Sequence, residues 1–198
     1  MRPLVGMVGK SRAGKDTFAA QLVEKHGFVR YAFADNVRKV ALAIDPIVDI
    51  SEWYEELDPS NHGYTRLRLS FLVEREGWES VKRLHEVRRL LQAIGTDAIR
   101  ALDPDFWVRL VMREIKSETR PVVITDCRFP NEAAAIERAG GKLIRVIRPD
   151  QLNDDQHVSE TALDDWGTAY EVHNDTTIQQ FRNRADWVAG LVKKEYEQ

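Results

Sequence analysis

Residues 4–18 read LVGMVGKSRAGKDTF, and the rest of the chain is best understood outward from them. The apolar run Pro3–Val8 predicts a buried strand. Phe18, Leu22 and Val23 then recur at helical spacing until Gly27, a natural stop. Between strand and helix, Gly9-Lys10-Ser11-Arg12-Ala13-Gly14-Lys15 satisfies G-x-x-x-x-G-K, the pattern of the phosphate-binding P-loop. Glycines let the backbone curl so that successive N–H groups converge on an anion. The helix that follows adds the positive end of its dipole, and Lys15 adds a mobile point charge for the β- and γ-phosphates. The usual Ser or Thr after the lysine is here Asp16, followed by Thr17. A carboxylate there holds Mg²⁺ either directly or through water, and Thr17 is a second candidate for an inner phosphate.

The chain has 198 residues, 43% hydrophobic and 31% charged, with a net charge of −3. That is enough for one domain with a real core, and it gives no basic field for nucleic acid. A single cysteine, Cys127, excludes a disulfide framework and thiolate metal clusters. No run has membrane-span length and no signal-peptide pattern opens the chain, so a cytosolic protein is expected.

Beyond Gly27, Phe28–Phe33 is a short β-rich run. Asp35 is a candidate N-cap for a helix that carries Val37, Val40, Ala41 and Ile44 and ends near Asp45-Pro46. Residues 46–64 lack periodicity and read as a flexible insertion, suited either to a substrate flap or to a solvated surface; Tyr64–Glu76 is ambiguous. A long helix is predicted over 81–102, with Leu84, Val87, Leu91, Ile94, Ala98 and Ala101 as its buried seam. Beside that seam runs a stripe of His85, Arg89, Gln92, Thr96 and Arg100. It fits either a solvated face or a surface for a phosphate and a base edge. Asp103-Pro104 introduces a helix over Asp105–Lys116 with Phe106, Trp107, Leu110 and Val111 on its apolar side.

Pro121–Thr125 predicts a strand ending in Asp126, either a turn residue or an acid on the ligand-binding edge of an open sheet. Arg128 follows, then an alanine-rich helix stopped at Gly140-Gly141 and a strand at Lys142–Arg148. Residues 149–161 are polar and read as a lid; His157 within them reads as a solvent-facing residue rather than a catalytic base. A last strand at Tyr170–His173 precedes an amphipathic helix through Ile178, Phe181, Ala185, Val188 and Leu191–Val192. Five βα units predict a parallel, doubly wound α/β sheet with ligands at its C-terminal edge. The P-loop, Asp126-Cys127-Arg128 and Arg148 all fall on that edge.

Taken together, GKSRAGKDTFA (9–19), YAFADNVRK (31–39), RRLLQAIGTDAIR (88–100), DPDFWV (103–108), TDCRFPNEA (125–133), VIRP (146–149) and HVSE (157–160) resemble the phage deoxynucleoside monophosphate kinases of the P-loop nucleoside monophosphate kinase superfamily. The resemblance runs from residue 1 to about 180 and is weakest over 46–80. It implies a single P-loop kinase domain, a three-layer sandwich on a five-stranded parallel sheet. The core would be about 1–45 and 118–198, with a helical acceptor-binding insertion over 46–117 and a lid over 149–161. It implies transfer from ATP·Mg²⁺ to a deoxynucleoside monophosphate. Gly9–Thr17 would bind ATP, with Lys15, Arg128 and Arg148 around the transferring phosphoryl. Asp16 and Asp126 would be the metal-side acids, and Asp35, Arg38, Arg89, Gln92, Thr96 and Trp107 would line the acceptor. Dimerisation, and host cytoplasm as the location of a phage-encoded chain, are family-level expectations. Competing readings are a phosphomevalonate-type or other small-molecule kinase, which shares a GKD ending, and a nucleotide-binding regulator without phosphotransfer. A nucleic-acid end kinase is disfavoured by the negative charge.

Overall fold

A computed structural model describes residues 2–51, 53, 66–149 and 161–197. The chain divides into two compact units, residues 1–33 with 108–198, and residues 34–107.

The first unit is built on strands β1 (Leu4–Val8), β2 (Val29–Tyr31), β5 (Val122–Ile124), β6 (Lys142–Ile147) and β7 (Tyr170–His173), joined in the order β2-β5-β1-β6-β7 with every pairing parallel. These are the five predicted strands, within a residue or two. The alternation of side chains along a strand divides β1 between two cores. Val5 and Met7 face Phe18, Leu22, Phe181 and Val188, which come from helix α1 (Lys15–His26) and from the C-terminal helix. Leu4 and Val8 face Val111, Ile115 and Ile136 on the other side. The result is the expected three-layer sandwich. Gly6 is required by this packing, because a Cβ there would stand 2.6 Å from the Ile136 side chain. The C-terminal helix, α7 (Ile178–Glu197), buries Phe181, Ala185, Val188, Ala189 and Val192. Ile178, expected on its apolar seam, is instead 64% exposed at the helix's first residue.

The second unit departs further from expectation. Helix α2 (Phe33–Ile44) begins two residues before Asp35. Asp35 is therefore not the N-cap but a first-turn acid, 3.7 Å from Arg38. Part of the segment read as an unstructured insertion is strand β3 (Ile47–Asp49), antiparallel to β4 (Arg66–Arg68). Three-residue strands whose partner lies far along the chain leave no local period to detect. The ambiguous stretch resolves into β4 and helix α3 (Leu69–Val81), which is broken at Gly77, where φ is +73°.

The single long helix expected over 81–102 is also corrected. A turn at residues 82–84 separates α3 from α4 (His85–Gln92), and the chain continues as a π-helix over Ala93–Arg100. A π-helix advances more residues per turn than an α-helix, so the buried seam loses register. Leu84, Val87 and Ile94 are buried as predicted, whereas Ala98 and Ala101 face outward. Helix α5 (Phe106–Lys116) follows a turn in which the Asp103 carboxylate accepts the Asp105 N–H at 3.2 Å. Among the described residues no helix is long and apolar enough to cross a membrane. Residues 150–160 of the expected lid, with His157, and residues 52 and 54–64 of the expected flap lie outside the described residues.

Candidate active site

Strand β1 is flanked by β5 and β6, and all three run the same way. The segments leaving their C-terminal ends must therefore meet on one sheet edge, the P-loop between Asp126–Arg128 and Arg148. The loop's shape follows from its residues. Gly9 has φ +140°, and a Cβ on it would stand 2.4 Å from the Val146 carbonyl oxygen of β6. Ala13 N–H closes a turn on Lys10 O at 3.2 Å, Arg12 takes the left-handed conformation with φ +59°, and Gly14 has φ +110°. Lys15 is the first residue of α1 and is buried. Its Nζ curls back to donate to Gly9 O at 2.7 Å and Lys10 O at 2.8 Å. Asp16 is exposed on the first turn of α1, with Thr17 half-buried beside it.

A cavity of about 170 Å³ opens at this edge, lined by Gly9 and Lys10 of the loop, by Cys127 and Arg128 after β5, and by Arg145, Arg148 and Asp164. Arg128 is held by its backbone: Glu132 Oε2, on helix α6 (Pro130–Arg138), accepts the Arg128 N–H at 2.8 Å and the Phe129 N–H at 3.1 Å. Asp126 Oδ1 accepts the Phe33 N–H at 2.8 Å, so the acid at the end of β5 is fixed in orientation. Burial pushes the Cys127 thiol well up from its ordinary value, with Glu132 and Asp126 adding to the effect. Burial and neighbouring acids act opposite to the lowered pKa that marks a reactive thiolate.

Three members of this edge were not read from the sequence. Asp164 pairs with Lys10 through both carboxylate oxygens, at 2.6 and 2.7 Å. Arg145 donates to Leu163 O at 2.8 Å and Trp166 O at 2.6 Å, which fixes the turn that carries Asp164. Asn174, just past β7, donates to Ala13 O at 2.9 Å. Arg145 had a detectable signal, a cation in the middle of the otherwise apolar run LIRVI (143–147). The partners of Asp164 and Asn174 lie more than 150 residues away, and nothing local marks them.

The acceptor-side candidates all belong to the second unit. Arg38 lies 5.5 Å from the centroid of the Trp78 ring, within reach of Asp35 and Glu79. Arg89 and Gln92 are exposed on α4, and Thr96 is half-buried in the π-helix. Trp107 is fully buried; its indole N–H donates to Gly95 O at 2.9 Å, and its ring meets Phe106 edge-on. It braces the π-helix from within.

A P-loop at the head of a parallel sheet, with arginines from the neighbouring strand ends lining the same cavity, defines a P-loop phosphotransferase. A family model described as deoxynucleotide monophosphate kinase matches residues 73–185. A putative deoxynucleotide monophosphate kinase of Acanthamoeba polyphaga mimivirus is 30% identical over 198 aligned positions, covering 90% of this chain and 91% of the relative. The deoxynucleotide monophosphate kinase of Enterobacteria phage T4 is 26% identical, covering 89% and 94%. Among solved structures, a dephospho-CoA kinase from Campylobacter jejuni superposes with a TM-score of 0.51 at 17% identity, over 99% of this chain and all of its own, which is a likeness of fold. The chain belongs to the deoxynucleotide monophosphate kinase family.

Proposed function

We propose that the chain transfers the γ-phosphoryl group of ATP to a deoxynucleoside monophosphate, giving ADP and the deoxynucleoside diphosphate. The observation that carries this reading is a cavity lined together by Gly9 and Lys10 of the P-loop, Arg128 and Arg148 in a chain of this family. An acceptor phosphate oxygen attacks the γ-phosphorus in line, and the bond from that phosphorus to the β–γ bridging oxygen breaks. The acceptor is already anionic near neutral pH, so no strong general base is needed. Catalysis is alignment and charge stabilisation.

Lys15 then exchanges the carbonyls of Gly9 and Lys10 for phosphate oxygens. Arg128 and Arg148 gather the charge that spreads over the transferring group. Lys10, released from Asp164, adds a further cation on the donor side. The acceptor is recognised through the second unit: Arg38, with Asp35, for its phosphate, and Arg89, Gln92 and Thr96 for its phosphate and base edge.

Mg²⁺ fits the acids present. It favours oxygen ligands and keeps several waters, so one or two protein carboxylates suffice, and Asp126 is already oriented by the Phe33 N–H. Asp16 and Asp126 would hold it, and when bound it neutralises charge on the β- and γ-phosphates.

Lys15→Ala tests the donor half. Turnover is expected to fall by at least about two orders of magnitude, as for loss of a preorganised charge at a transferring group, with the melting temperature near that of the unaltered chain. A folded variant of unchanged turnover would remove Lys15 from the mechanism.

A further inference from the structure

The contact between Asn174 and the P-loop assigns a role to a residue that takes no part in the chemistry above. We infer that Asn174 is a positioning residue of the donor site: its side-chain amide sets the peptide plane between Ala13 and Gly14, and so aims the Gly14 N–H at the phosphates of the bound nucleotide. The inference rests on the ATP-binding reading of the loop.

Asn174 Nδ2 donates to Ala13 O at 2.9 Å. Among the described residues no peptide bond is cis, and in a planar trans peptide the carbonyl and the following N–H point in opposite directions. Drawing the Ala13 oxygen towards Asn174 therefore turns the Gly14 N–H away from Asn174 and, in the ATP-binding reading, towards the anion.

The anchor is itself rigid. Asn174 N–H donates to Ile147 O at 2.7 Å, extending the β6–β7 ladder to the sheet's C-terminal edge. Arg184 of α7 bonds the carbonyl of His173 and, at 2.6 Å, the Asp175 carboxylate, so both neighbours of Asn174 are tied to that helix. The side chain also lies directly against Gly14. A Cβ on Gly14 would stand 2.6 Å from Asn174 Nδ2 and 3.2 Å from the Phe181 ring. The glycine is thus needed both for its φ of +110° and for the amide lying against it. A plain packing contact would need neither the amide donor nor its direction.

Two variants separate positioning from packing. Asn174→Asp keeps the shape but replaces the donor with an acceptor facing the Ala13 oxygen; Asn174→Ala removes the group without repulsion. The expected result is a rise in KM for ATP of at least about tenfold in N174A and more in N174D, on the scale of misplacements of reacting groups, with KM for the deoxynucleotide unchanged in both. ATP affinity measured by direct titration, without acceptor, should fall in the same order. A wild-type chain that binds ATP but turns over no deoxynucleotide would sink the acceptor reading and leave this inference to be judged on affinity alone.

Unchanged ATP affinity in either folded variant would overturn the inference, as would equal changes in both KM values. Should the variants fold poorly, the unaltered protein decides by NMR. The Asn174 side-chain amide protons should exchange slowly with solvent, and the Gly14 amide resonance should shift on addition of ATP. Fast exchange of those protons, or an indifferent Gly14 resonance, would equally overturn it.

Discussion

Gly9 is the residue at which sequence and mechanism meet most tightly. Its φ of +140° and the Val146 oxygen 2.4 Å from a would-be Cβ leave no room for alanine. Gly9→Ala is expected to destabilise the chain by about 2 kcal/mol or more, a strained backbone position adding to a backbone clash. It should also weaken ATP binding, because the clash moves the loop against β6. Chemical denaturation and ATP titration read the two effects, and a variant unchanged in both would show that the loop relaxes freely. The spacing of Gly9, Gly14 and Lys15 announces this site in the sequence because the positive φ at both glycines and the place of the lysine are demands of the loop itself. The Lys10–Asp164 pair and the Asn174 contact arise only when distant strands align, and single-sequence reading has no access to them.

At the scale of elements, the π-helix over Ala93–Arg100 is the feature that periodicity missed. An α-helical template places Ala98 and Ala101 in the seam, whereas the wider turn rotates them outward. Its buried support is the Trp107 indole on Gly95 O. Trp107→Phe keeps an aromatic ring but strands that carbonyl and loses volume. A loss of about 2 kcal/mol is expected, with KM for the acceptor raised and KM for ATP unmoved. Equal kinetics in the variant would mean that the π-turn is indifferent to its brace.

Helices α1 and α7 offer a pH test at the same scale. Asp186 on α7 accepts hydrogen bonds from Gln21 at 2.7 Å and Lys25 at 3.3 Å, and lies 2.9 Å from His26 Nε2. Burial by itself would raise its pKa, but the bonds from Gln21, His26 and Lys25 outweigh that and hold the carboxyl below its usual range. A depressed folded-state pKa stabilises the fold above the unfolded value, near pH 4. That contribution is lost as pH falls through the folded-state pKa. The stability difference between the unaltered chain and Asp186→Asn should be full at pH 6 and shrink below about pH 4. Denaturation curves across that range check it, and a difference independent of pH would contradict the assignment.

At the scale of the whole molecule, the sheet was legible because each of its strands is either an apolar run or bounded by turn residues. With five βα units in alternation, the parallel order and its ligand edge follow from general rules of chain connection. The second unit was less legible, since its short strands pair across distance and its helices are interrupted at Gly77 and residues 82–84. Donor candidates and acceptor candidates fall in different units, so the two substrates should be separable by mutation.

The acceptor is identified most directly by ADP formation from ATP·Mg²⁺ in the presence of each of the four deoxynucleoside monophosphates, their ribose counterparts and phosphomevalonate. Turnover with one or more deoxynucleotides, and little with the ribonucleotides, is the predicted result. ATP binding without turnover on any nucleotide would contradict it, and turnover on phosphomevalonate alone would move the chain to a different acceptor.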